Sequence, residues 1–171
     1  MVHKVINDSF NLYGADKIFR LAQYTLSYIS ESQKNKQLAQ ISASISQTRM
    51  NLRLLGIVHT IITIRSSKTR TEKLKNIILL PYYFAEHVYW LGSFDLVAVD
   101  SLWWSRISCQ AWFFYLMINL YDNIKAKDLF ASLSDIGDTV LAFHYSVEKS
   151  ALDEKFVAFC GVISSILKFD F

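Results

Sequence analysis

Two arginines, Arg49 and Arg53, have a spacing that suggests a binding function. Residues four apart share one face of a helix, and a guanidinium group can bind a phosphate through two parallel hydrogen bonds. Both lie in "QISASISQTRMNLRLLGIVHTII", residues 40–62, which becomes more apolar toward its end. The segment could be a bundle helix with a solvated edge, a helix on a membrane surface, or a bilayer span. Spanning is disfavoured because it would place both charges inside the bilayer.

The other titratable residues lack an arrangement suited to catalysis or metal binding. Glu86 and His87 are adjacent, so on a helix they point about 100° apart and cannot act on one atom. Asp135 and Asp138 share a helix face, a pattern typical of a solvated edge. The histidines are far apart, without ligand spacing: His3, His59, His87 and His144. No serine lies in a nucleophile elbow. The sequence therefore predicts no enzymatic activity, no metal and no cofactor.

Composition favours an all-helical chain that works at a membrane. The 171 residues are 52% hydrophobic and 19% charged, with one Pro and five Gly, whereas soluble domains have about 25% charged residues. Residues 1–75 hold 12 Lys/Arg and 4 Asp/Glu, and residues 76–171 hold 6 and 11. A basic half can face phosphates of lipid or of nucleic acid. Since no nucleic-acid-binding motif is present, the lipid interpretation is favoured and no nucleic-acid partner is predicted.

The periodicity predicts two N-terminal helices. Asp16 can cap the first, which is expected to end near Ser30. The second covers residues 37–64 and carries a polar stripe beside an apolar seam. The stripe comprises Ser42, Ser46, Arg49, Arg53, Gly56 and Thr60, and the seam Leu38, Ile41, Ile45, Thr48, Leu52, Leu55, His59 and Ile62.

The second helix is predicted to lie along a membrane surface. In this interpretation its apolar face enters one leaflet while both arginines reach lipid phosphate. Further basic residues bracket the helix and would strengthen its attraction to anionic lipids: Lys34, Lys36, Arg65, Lys68, Arg70, Lys73 and Lys75. The predicted membrane-binding residues are Leu38, Ile41, Ile45, Arg49, Leu52, Arg53, Leu55 and Ile62.

The rest of the chain predicts more helices with short hydrophobic runs. Pro81 is expected to kink the next helix. The apolar run 107–121 has 15 residues and 156–167 has 12, whereas a bilayer core needs about 20. Trp103 and Trp104 would have to anchor the first run at the interface. Cys109 and Cys160 are expected to be free thiols, and residues 1–17 contain no secretory signal.

We therefore predict an all-α, integral or peripheral membrane protein of about six helices, with amphipathic helices plus one or two short hydrophobic spans. Its single domain comprises an amphipathic region (about 12–75), a hydrophobic region (about 76–125) and C-terminal helices (about 127–169).

Four boxes in order resemble the peroxin-11 family. "GADKIFRLAQY" matches the family's "GRDKxxRxxQY"-like box, except that Ala15 replaces the usual Arg; the matching residues are Asp16, Lys17, Arg20, Gln23 and Tyr24. "RMNLRLL" resembles the family's amphipathic helix, although a basic residue often found shortly afterwards is absent. "RISCQAWFFYLMINLYDNIK" is similar to its first hydrophobic segment. In the C-terminal segment, Gly161, Ser164 and Ser165 match "GxxSS".

This resemblance implies a peroxisomal (or glycosomal) membrane protein with both termini toward the cytosol. It implies that the protein elongates the organelle membrane by inserting an amphipathic helix and prepares it for division. The implied partners are anionic lipids, further copies of the chain, a fission adaptor and a dynamin-related GTPase. The link between the two most hydrophobic segments is shorter than in many relatives, which argues against regulation by phosphorylation there.

The alternative function is a channel for small metabolites. Its candidate pore residues on the best run are Arg106, Gln110 and Asn119, of which Asn119 lies about 180° around the helix from Gln110.

Overall fold

The computed structural model describes residues 12–169, which form seven α-helices and no strand in that range. They are α1 (Leu12–Gln33), α2 (Lys36–Leu52), α3 (Gly56–Ser66), α4 (Arg70–Ser93), α5 (Ser101–Lys125), α6 (Leu129–Ser146) and α7 (Glu154–Leu167). The predicted all-α class is confirmed. The helix number exceeds the expected six because the segment 37–64 forms two helices, and α1 extends three residues beyond the expected Ser30.

Short polar side chains set the start of five helices. Each accepts a hydrogen bond from a backbone N–H of the first turn, a group that otherwise has no partner in the helix. Thr69 and Glu72 form a complete capping box at α4. The capping residues are Asn35, Thr69, Asp100, Asp128 and Asp153.

The break between α2 and α3 lies at residues 53–55. Here the N–H groups of Arg53 and Leu54 bond with carbonyls three residues back, so the backbone is wound more tightly than in an α-helix. Gly56 follows, and a Cβ atom at this position would lie 2.4 Å from the ring of Tyr83 on α4. Because only glycine permits this approach, α3 turns onto α4 instead of continuing α2.

The helix pairs that pack together are α1–α2, α3–α4, α4–α5, α5–α6 and α6–α7, and α7 packs back onto α1. Contacts between Lys75 and Asn119, between Phe113 and Phe143, and between Ser134 and Ser164 make the pairs α4–α5, α5–α6 and α6–α7 antiparallel. The helices therefore pack in the order α3, α4, α5, α6, α7, α1, α2, so the last helix of the chain contacts the first.

Polar residues lie inside this bundle and large apolar residues lie outside. Among the described residues, fifteen buried side chains are polar or charged and eight are apolar, whereas 31 large apolar side chains are exposed. An aqueous protein of this size normally buries its large apolar residues. This bundle therefore buries many polar side chains and leaves many large apolar side chains exposed.

The structure gives no support to the predicted short hydrophobic spans. Within residues 12–169, no helix combines the length and the apolar character that crossing a membrane requires. Pro81 is accommodated inside α4, which continues on both sides of it.

Candidate functional site

A buried ion-pair cluster joins α1 to α6 and α7. Arg20 forms two hydrogen bonds with the carboxylate of Asp138 and donates a third to the Ser164 hydroxyl at 2.9 Å. Lys168 donates to the same carboxylate. Arg20 is 6% exposed and Asp138 is 0% exposed. Burial alone would raise the pKa of Asp138, but Arg20 and Lys168 outweigh it and hold that pKa well below its usual value.

The next turn of α1 makes a close contact with α7. Tyr24 lies one turn after Arg20 and packs on Gly161 of α7, where a Cβ atom would lie 2.4 Å from the ring. The hydroxyls of Ser164 and Ser165 donate hydrogen bonds to the Gly161 carbonyl, so both have partners within α7. Because these side chains are small, α7 is narrow at this contact. Two residues of the N-terminal box, Arg20 and Tyr24, therefore contact the C-terminal "GxxSS" residues.

Arg49 lies in a second cluster, between α1 and α2. Its guanidinium group donates to the Asp16 carboxylate at 2.9 Å and to the Gln23 side chain at 2.8 Å. Asp16 and Gln23 are seven residues apart and share a face of α1, different from the face of Arg20. Lys17, the remaining box residue, also makes a contact in the structure. The box thus provides two polar faces, one for α2 and one for α6 and α7.

Arg53 joins the break between α2 and α3 to α4. It pairs with Glu86 at 2.5 Å, and the Tyr82 hydroxyl donates to the same carboxylate at 3.2 Å. His87 bonds through Nε2 with the Leu54 carbonyl at 2.8 Å. Burial alone would lower the pKa of Arg53, but Tyr82 and Glu86 raise it, so the guanidinium group stays charged.

These pairs correct the expectation that Arg49 and Arg53 are free to reach phosphate. Arg49 is 8% exposed, and protein carboxylates hold both guanidinium groups. The physical reason is that α2 turns its polar stripe inward, where a charge needs a partner. Asp135 and Asp138 likewise differ from the expected solvated edge, since both are buried. Asp135 accepts from Asn119 and Asn123, each at 2.7 Å.

The apolar seam of α2 and α3 faces outward. Ile41, Leu55 and Ile62 are 50%, 71% and 60% exposed. Leu38, Ile45 and Leu52 are half-buried. Val58 and Ile61, beside the seam, are also exposed. We call the apolar side that these residues form the α2–α3 face; its exposed members are Ile41, Leu55, Val58, Ile61 and Ile62. Its binding to a membrane stays a prediction.

Other predicted residues are dispersed. Arg106 pairs with Glu148 at 3.8 Å, Gln110 donates to the Ser146 carbonyl, and His144 bonds with Glu154. Cys109 and Cys160 are free thiols, and burial raises the pKa of Cys109 to about 12. In residues 12–169, no three His, Cys, Asp or Glu side chains cluster as metal ligands do.

We expect Gly161→Ala to lower the free energy of unfolding by about 1–3 kcal/mol, as overpacking of a close contact typically does. The added methyl group would meet the inner atoms of the Tyr24 ring, which cannot move aside. Gly92→Ala is a matched control, because its methyl group would meet a Val99 side-chain methyl in an exposed link. Thermal unfolding of both variants checks the difference, and equal loss of stability would contradict the assigned contact.

The site and the fold together define a helical bundle with buried ion pairs and many exposed apolar side chains. Comparison with known families is more specific: the model of the peroxisomal biogenesis factor 11 (PEX11) family matches residues 4–127. The chain therefore belongs to the PEX11 family, as its boxes predicted. Neither the curated proteins nor the solved structures contain a significant match.

Family membership establishes an association with peroxisomes and with their biogenesis and proliferation. This is a family of biogenesis factors and not a known class of enzymes. Residues 128–169 lie beyond the matched range, yet they provide Asp138 and Ser164, the partners of Arg20.

Proposed function

We propose that this protein elongates and remodels the peroxisomal membrane before the organelle divides, by inserting the α2–α3 face into the cytosolic leaflet. The observation that carries the proposal is the reversed polarity of this segment. Its polar stripe is held inside the bundle by Asp16 and Glu86, and much of its apolar seam is exposed. A large exposed apolar face on a protein marks an interaction surface.

The mechanism follows from where the apolar side chains lie. Moving a fully exposed Leu, Ile or Val side chain from water into hydrocarbon gains about 1.5–3 kcal/mol. Leu55, Val58 and Ile62 are more than half exposed, so together they can hold α3 in the membrane plane. The pair between Arg53 and Glu86 fixes α3 to the bundle, which limits how deeply it enters. Volume added to one leaflet then favours curvature.

We also propose that both termini of the chain face the cytosol. The contacts of Arg20 with Ser164 and of Tyr28 with Phe159 make α1 and α7 antiparallel. The first turn of α1 and the last turn of α7 consequently lie at the same end of the bundle, which supports a common side. We further propose that the protein binds other copies of the chain, a fission adaptor and a dynamin-related GTPase.

A small-metabolite channel is the second candidate, and the polar interior favours it. The pairs of Arg20 with Asp138 and of Arg53 with Glu86 lie between helices, where a pore would have to run. The candidate lining residues named from the sequence are engaged elsewhere, because Gln110 and Asn119 both bond with α6. Release of a trapped dye by vesicles that contain the protein would favour the channel over remodelling.

The direct test is tubulation by the full-length chain. We expect vesicles of phosphatidylcholine and phosphatidylserine to become elongated when the purified protein is added, as seen by electron microscopy. Binding without any change of vesicle shape would overturn the remodelling mechanism.

A further inference from the structure

The two ends of the helical bundle differ in charge. Lys75 near the start of α4 contacts Asn119 and Asp122 near the end of α5, so the α3–α4 and α5–α6 links lie at one end. We call this the basic end and define it as residues 65–75 and 122–128. It carries seven Lys/Arg and three Asp/Glu, a net charge of +4.

The opposite end contains three of the remaining links, residues 31–36, 94–100 and 147–155. It carries four Lys/Arg and six Asp/Glu, a net charge of −2. Lys155 lies over the Tyr28 ring at 5.4 Å, and Arg106 pairs with Glu148, which brings these links together.

The carboxylates of the basic end are already occupied. Glu72 accepts from the backbone N–H groups of Lys68 and Thr69, Asp128 caps α6, and Asp122 pairs with Lys75 at 2.7 Å. The other six cations are exposed, and none forms an ion pair with a described residue: Arg65, Lys68, Arg70, Lys73, Lys125 and Lys127. Their charge is therefore available to an external anion.

One of these lysines occupies a strained backbone position. Lys127 has a φ of 60° and lies directly after Ala126, the residue that caps the end of α5. The N–H groups of Lys127 and Asp128 bond with the carbonyls of Ile124 and Asn123, which is the helix-ending motif that normally uses glycine. A lysine here gains no packing that would offset the strain, but it adds a cation to this end.

Exposed apolar side chains surround the six cations. Those nearest in sequence are 46–67% exposed: Ile62, Leu74, Ile77, Ile124, Leu129 and Phe130. Cations beside exposed apolar groups suit the boundary between lipid head groups and acyl chains. There the cations can contact phosphate and the apolar groups can contact acyl chains. An acidic protein or a nucleic acid would satisfy the cations but leave the apolar groups in water.

We propose that the basic end binds the phosphate groups of an anionic lipid bilayer and thereby sets the orientation of the bundle on the membrane. This inference rests on the proposed membrane association, and it assigns head-group recognition to the α3–α4 and α5–α6 links, since Arg49 and Arg53 are occupied by carboxylates. In this arrangement the α2–α3 face inserts into the leaflet. The basic end attracts the protein to anionic lipid and sets the orientation of the bundle.

The test compares two variants of the full-length chain that lose the same total charge. In the basic-end variant Lys68, Arg70, Lys125 and Lys127 become Gln, and in the opposite-end variant Lys34, Lys36, Lys149 and Lys155 become Gln. Binding is measured by flotation with vesicles of phosphatidylcholine alone and with added phosphatidylserine. We expect the basic-end variant to lose several hundredfold in affinity for anionic vesicles, at about fivefold per residue. The opposite-end variant should lose little.

Equal losses in the two variants, or no loss in the basic-end variant, would overturn the inference. Lys127→Gly separates charge from structure, because glycine suits a φ of 60° and removes one cation. We expect binding to fall about fivefold without a fall in melting temperature. If the basic-end variant binds and tubulates like the wild type, the inference fails while the proposed function stands. If the wild type binds neither vesicle, both fail.

Discussion

Replacing Leu55, Val58 and Ile62 with Asp should abolish vesicle tubulation and weaken vesicle binding by at least about a hundredfold. Each substitution removes an apolar side chain whose insertion is worth about 1.5–3 kcal/mol and adds a charge that opposes insertion. The three residues are 71%, 55% and 60% exposed, so few internal contacts are lost. We therefore expect the helical content and the melting temperature to stay close to those of the wild type.

The control carries the same three added charges at exposed polar positions. Gln33, Gln37 and Gln40 lie at the end of α1 and the start of α2, outside the α2–α3 face. Changing them to Asp should leave tubulation intact, apart from a modest electrostatic loss that salt reduces in both proteins. Tubulation that persists in the Leu55, Val58 and Ile62 variant would show that the α2–α3 face is not the inserting surface.

Asp138→Leu should lower the free energy of unfolding by about 3–5 kcal/mol, the usual cost of removing one partner from a buried ion pair. Arg20 would keep its positive charge inside the bundle with Ser164 as its remaining partner, and Lys168 would face it. Chemical denaturation in the same detergent for both proteins checks this. Glu31→Leu is the control, because its pair with Lys34 is exposed and such pairs contribute about 0–1 kcal/mol.

The pH dependence gives an independent check of the same pair. The pKa of Asp138 is lower in the folded chain than in the unfolded chain, where it is about 3.9. Its contribution to stability is therefore complete well above that value and is lost as the pH falls toward the folded pKa. The gap in melting temperature between wild type and Asp138→Asn should be constant from about pH 5.5 to 8 and should narrow below about pH 4. A gap independent of pH would mean that the carboxylate charge is not what stabilises the cluster.

The sequence predicted the all-α class and the division of the second segment into a polar stripe and an apolar seam. Periodicity reveals such stripes because residues three and four apart share a helix face. It does not reveal which stripe faces inward, since that depends on the medium outside. The arginines were accordingly assigned to lipid phosphate, whereas the structure places them on Asp16, Gln23 and Glu86.

The partners of the buried charges were missed for a second reason. Arg20 and Asp138 lie on helices far apart along the chain, and no local pattern links them. A usable signal was present, however: Glu86, Asp135 and Asp138 occur within largely apolar segments, where an unpaired charge is costly. Matching each of them with a basic residue on another helix would have predicted a charged interior, although not which residues pair.

The closing contact between α1 and α7 has a consequence for how the chain is made. The two partners of Arg20 are far away in the sequence: Asp138 is 118 positions later, and Ser164 is 144 positions later. During synthesis, the first helix leaves the ribosome long before its partners exist, and its arginine must stay hydrated until α7 has been made. The apolar helices that emerge in between are exposed to water for that whole interval, when aggregation competes with folding. The contact between α1 and α7 can therefore form only late, after α7 has been synthesised, so folding of the bundle is expected to follow translation of its last helix.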